Sequence, residues 1–80
     1  MDKPTIGRVV IYKTTEEDRK KMRESSNQNV QHELPATIVA VWSESCVNVK
    51  VDIDGEGQLW KTSINLGTEE GNWGWPNREA

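Results

Sequence analysis

Cys46-Val47-Asn48-Val49-Lys50-Val51-Asp52-Ile53-Asp54 (CVNVKVDID) changes character at every step. Val47, Val49, Val51 and Ile53 point one way, and Asn48, Lys50 and Asp52 the other. A period of two with one polar side marks an antiparallel strand that packs on a core and meets water. Asp54-Gly55-Glu56-Gly57 follows as a turn headed by Asp-Gly, and Gln58 to Leu66 (QLWKTSINL) reads as the returning strand of a hairpin.

Working back toward the N-terminus, Leu34-Pro35-Ala36-Thr37-Ile38-Val39-Ala40-Val41-Trp42 is the strongest strand, and Ser43-Glu44-Ser45 turns it into the alternating stretch. Pro35 is tolerated near its start because no interior ladder bond is lost there. Ile6 to Tyr12 is a shorter β-rich run with apolar residues on both sides. Between these two strands, residues 14–33 form a helix-and-loop insertion able to pack on the barrel or cover a site. Residues 14–24 predict one short helix, with Thr14 and Glu17 fitting a capping box and charges ordered acidic to basic along the dipole. Met22 is nearly its only apolar residue, which argues against a core helix. Ser25 to Glu33 is a polar loop. Toward the C-terminus, Gly67 to Asn72 is a loop, Trp73-Gly74-Trp75-Pro76 carries a short last strand, and residues 77–80 are a flexible tail.

The expectation is a mainly β, single-domain chain over residues 1–80. It is a small SH3-like, alternatively OB-like, barrel of about five antiparallel strands with one short helical insertion after the first. Eighty residues with about a third apolar content allow only a small core, and self-association is a reasonable stabilising device. Four Trp offset the absence of Phe and the single Tyr.

Charge and composition remove several functions. Thirteen acidic against ten basic residues give a net charge of −3, which disfavours gripping duplex nucleic acid. Cys46 is the only cysteine, so no disulfide forms within the chain. No signal peptide and no apolar run near 18 residues is visible, so a cytosolic protein without a membrane partner is expected. The acidic turn at Asp52 to Gly57 lacks the spacing of a calcium loop, and His32 stands alone in a polar loop. Neither catalysis, a metal nor a cofactor is expected.

Gly7-Arg8-Val9-Val10-x-Tyr12, Leu34-Pro35-Ala36-x-Ile38-Val39-x-Val41-Trp42, Cys46-Val47-Asn48-Val49-x-Val51, Leu59-Trp60-x-Thr62-Ser63 and Gly71-x-Trp73-x-Trp75-Pro76 occur in that order. This series resembles a family of short, mostly uncharacterised proteins of tailed bacteriophages and prophages, across nearly the whole chain except the tail. The resemblance implies phage origin, the cytoplasm of the infected bacterial host as location, and a small β-rich fold. It supplies no function.

The Trp residues are the first candidate site. Trp42 reads as core, and for Trp60 core and surface stand level. Rings in an extended Trp73-Gly74-Trp75 share one face, and Gly74 leaves open backbone beside them, so either core or a ligand or subunit surface fits. Arg8, Asn48, Lys50, Lys61, Thr62 and Ser63 fall on the polar sides of their strands, where an ordinary solvated face is the plain reading. The sharper reading joins Trp73, Trp75 and Trp60 for stacking, Asn48, Thr62 and Ser63 for hydrogen bonds, and Arg8 or Lys61 for a phosphate. Such a set suits a small nucleotide-like ligand. The expected function is a non-enzymatic binding protein, a homo-oligomer that sequesters a nucleotide-derived immune signal. The alternatives are a protein–protein adaptor, an inhibitor of a host protein or a minor virion component. A single-stranded nucleic-acid binder fits the aromatics but not the charge.

Overall fold

The computed structural model describes residues 3–24, 30–53 and 57–76. Strand β1 is Val9–Lys13, helix α1 Glu16–Glu24, β2 Glu33–Val41, β3 Cys46–Asp52, β4 Gln58–Asn65 and β5 Trp73–Gly74. They form one antiparallel sheet in the order β4-β3-β2-β1-β5. Successive strands β1 to β4 are a meander, and β5 returns to β1. The sheet curls into a half-barrel. One parallel bridge, Leu66 to Trp73, ties the end of β4 to β5, and Gly67 N–H donates to the Trp73 carbonyl at 3.0 Å. The expected mainly β chain of about five antiparallel strands with one short helix after the first is what forms, and its curled sheet is compatible with a small SH3-like or OB-like barrel. The Asp-Gly turn at 54–56 and the tail at 77–80 lie outside the described residues.

Alternation decides which side of each strand is buried. Val10 and Tyr12 of β1, Leu34, Ala36 and Ile38 of β2, and Val47, Val49 and Val51 of β3 line the inner face with Trp73. Registers align them: Val10 opposes Ala36, which opposes Val51. Helix α1 is joined to this face through Met22, which is buried with the strand residues.

The helix starts one residue later than its sequence suggests. Thr15, not Thr14, is the cap: Thr15 Oγ1 accepts from Asp18 N–H at 3.1 Å, and Thr15 N–H donates to Asp18 Oδ2 at 3.0 Å. Thr14 is diverted because its N–H continues the β1–β2 pairing to the His32 carbonyl at 2.9 Å. Its hydroxyl meanwhile donates to the Gln31 carbonyl at 2.9 Å. A tertiary hydrogen bond thus outcompetes a local motif, and the box moves one residue along. Nor is the helix merely superficial, since Asp18 and Arg19 are buried with Met22.

Candidate functional site

The inner face holds an ionic cluster under α1. Tyr12, on β1, donates its hydroxyl to Asp18 Oδ2 at 2.5 Å, and the Lys61 ammonium from β4 pairs with Asp18 Oδ1. Burial opposes ionisation of Asp18, but hydrogen bonds from Lys61, Tyr12 and the Thr15 N–H overcome it, and the carboxyl is held below its ordinary pKa. Burial pushes the Tyr12 phenol well above its ordinary value, aided by its hydrogen bond to Asp18 and by the charges of Asp18 and Glu70. Beside this cluster, Arg19 donates to the Thr14 carbonyl at 2.7 Å and to Glu70 at 3.1 Å. The helix is therefore docked by paired charges where a larger domain would use apolar bulk. Lys61, expected as a phosphate ligand, has its ammonium engaged by a buried carboxylate.

Trp73 is fully buried, with its indole N–H donating to the Ser45 carbonyl at 2.9 Å. It opposes Tyr12 across the β1–β5 pair, which explains why the last strand needs only two residues to be held. As a stacking surface it is corrected, since no face of the ring meets water. Trp75 packs edge-on against it, centroids 5.1 Å apart at 83°, and is half-buried. The Arg8 guanidinium lies 4.8 Å from the centre of the Trp75 ring. That cation–π contact occupies one face of Trp75 and gives Arg8 an intramolecular role.

The outer face is different. Trp60, Lys50, Thr37 and Val9 form one rung across β4, β3, β2 and β1. Trp60 is 64% exposed and Val9 is exposed too. Trp42, expected in the core, is 63% exposed, because its strand ends at Val41 and the ring leaves the sheet before the turn. Asn48, expected on a solvated face, is 9% exposed. Registers slip on both sides of it: Val39 is extra on β2, and Thr62 with Ser63 stands against it on β4. Its Oδ1 accepts the Ser63 N–H at 2.7 Å and the Trp42 indole N–H at 2.9 Å. Ser63 has φ 52°, a left-handed conformation uncommon outside glycine. Thr62 and Ser63 are both exposed. An open cleft of about 300 Å³ lies beside Trp42, lined by Lys3, Pro4, Val41, Ser43 and Glu44.

The expected site is thus divided. Trp60, Asn48, Thr62 and Ser63 belong to the β3–β4 outer region, Lys61 and Trp73 to the inner face, and Arg8 with Trp75 to the β1–β5 end. Trp42 is the surface residue that strand pattern missed. Its position at a strand end, before a Ser-Glu-Ser turn, was the available signal. Asp18 carried no signal, since a carboxylate in the first turn of a charged helix usually faces water.

Compared with protein-family models, curated proteins and solved structures, the chain matches none.

Proposed function

We propose that this chain is a non-enzymatic binding protein that docks a protein partner through the outer sheet face, acting as an adaptor or as an inhibitor of a host protein. One observation carries the reading: Trp42 and Trp60 are each nearly two-thirds exposed, Trp60 on the outer rung of the sheet and Trp42 just past the end of β2. Tryptophan is concentrated at the centres of protein interfaces, where a large rigid ring is desolvated at little entropic cost. Small-ligand sites are usually concave and enclosing, whereas this face is open. The phage resemblance would place the partner in an infected bacterium.

The test is retention of a purified candidate host protein by the immobilised wild-type chain. Trp42→Ala and Trp60→Ala, each with an unchanged fold, are expected to weaken retention at least tenfold. A partner that binds both variants as well as wild type overturns the assignment of this face.

A second reading has its own support. The cleft beside Trp42 joins an indole ring to the Lys3 ammonium, whose 3.4 Å pair with Glu44 is exposed on both sides. Such a weak surface pair yields readily to a competing anion. Sequestration of a nucleotide-like signal there predicts a rise in melting temperature with a cyclic dinucleotide or a cyclic ADP-ribose isomer. No shift across such a panel removes this reading and leaves the protein partner. Light scattering of the purified chain reports whether the same face is instead consumed by self-association.

A further inference from the structure

The two ends of the sheet are finished differently. At β5 the edge is closed by the chain itself, through the Leu66–Trp73 bridge and the Gly67 N–H bond to the Trp73 carbonyl. At the other end β4 pairs with β3 on one side, and among the described residues no backbone group bonds to its other side. That open edge is eight residues long and carries no Pro. An inward Lys on an edge deters pairing when its charge has nothing to meet, but Lys61 already meets Asp18. Only the register slip at Thr62 and Ser63 interrupts the edge. The core is also unfinished there. Every other strand has at least one buried residue, whereas β4 has none. Leu59 and Ile64 pack on the core opposite Val51 and Val47, yet both are only half-buried.

We propose that the β4 edge is a self-association site, taken by β4 of a second copy of this chain in antiparallel pairing about a two-fold axis. An edge strand offers alternating N–H and C=O groups, and an antiparallel copy of the same strand returns them in equal number. Charge favours the same occupant. A net charge of −3 opposes contact between copies, but β4 has no acidic residue and its one Lys is neutralised by Asp18. A strand from an unrelated protein is selected by side-chain pockets along the edge, and the cleft at Trp42 includes no β4 residue. The added strand lies beside Leu59 and shields it, extending a core that eighty residues keep small. Edge pairing leaves the outer face of both copies open, so the inference is independent of the docking reading above.

The first test is sedimentation equilibrium of the purified intact chain. Its mass is expected to rise with concentration from that of one chain toward that of two. A monomer at every concentration up to about 1 mM overturns the proposal. Gln58→Lys combined with Thr62→Lys, both at exposed positions of β4, sets like charges across the seam and should weaken the dimer at least about fivefold. Val9→Lys, on the exposed outer rung, should leave the dimer unchanged. A dimer lost in Val9→Lys but kept in the double lysine variant overturns the edge, because the copies then meet through their outer faces.

The second test is backbone hydrogen exchange of the wild-type chain, which needs no variant to fold. Alternate amides within residues 58–62 are expected to exchange at least about tenfold more slowly in concentrated than in dilute protein. A dimer that forms with no change at these amides overturns the edge assignment. Protection that appears only when a host protein is added overturns the second copy as occupant and gives the edge to that partner.

Discussion

Trp73 and Trp42 each donate an indole N–H across 2.9 Å, one to the Ser45 carbonyl and one to Asn48 Oδ1, yet Trp73 is fully buried and Trp42 largely exposed. Trp73 lies in the core under the sheet, and Trp42 follows the last residue of β2. On the inner side the hydrogen bond is a condition of burial, since an unsatisfied indole N–H in a core carries a desolvation cost of roughly 1–3 kcal/mol. At the exposed Trp42 water could do the same work, so there the bond selects an orientation. The same contact therefore satisfies a buried donor in one case and fixes the orientation of an exposed ring in the other.

Substitutions can break that contrast. Trp73→Ala should have the largest effect, about 3–5 kcal/mol, because it empties the biggest buried side chain of a small core. At roughly 4–8 °C per kcal/mol for a domain of this size, thermal denaturation should show a fall of well over 10 °C or no folded protein. A smaller loss would mean that Trp75 collapses into the space.

Asp18→Ala comes next, at about 3–5 kcal/mol or slightly less, because Lys61 is left partly buried without its carboxylate. The pH profile sharpens this prediction. The folded-state pKa of Asp18 lies below its unfolded value near 3.9, so its contribution is present above that pH and lost as pH falls through the folded value. The raised pKa of Tyr12 acts in the opposite direction. Its contribution is complete below about pH 10 and disappears as pH rises through the folded value. Urea titrations should therefore show a plateau between about pH 4 and 10 from these two groups. Asp18→Asn should flatten the acid limb and Tyr12→Phe the alkaline one. An unchanged acid limb in Asp18→Asn would show that the cluster does not stabilise the fold.

The two exposed Trp should contribute little to stability. Trp42→Ala is expected to cost about 1 kcal/mol, the worth of one hydrogen bond and some packing. Trp60→Ala should lie within about 0.5 kcal/mol of wild type by the same denaturation. A large loss at Trp60 would mean that the outer face is covered in solution, by a second copy or another partner.

Where the chain repeats a simple period, its sequence was readable. The alternation of Val47, Val49 and Val51 placed β3 and its inner side, and the hairpin with β4 followed. It failed where the period breaks. Asn48 looks like one more polar residue on a wet side, and it is buried where the register slips on both sides of it, bonded to the Ser63 N–H and the Trp42 indole. Lys61 and Trp60 are consecutive and land on opposite faces, so the polar residues grouped as a site separate in space. Thr14 shows the same limit in the helix, where a backbone bond to His32 displaced a good local capping pattern.

What the sequence determined by itself was the class of fold, the helix after the first strand and the small size of the core. Those follow from local periodicity, turn chemistry and composition, all of which act over a few residues. Only the tertiary structure decided which Trp are core and which are surface, that Asp18 lies beneath a charged helix, and that Asn48 carries an exposed ring. These depend on how strands pair, β5 with distant β1 and β3 out of step with both its neighbours, which no local pattern specifies.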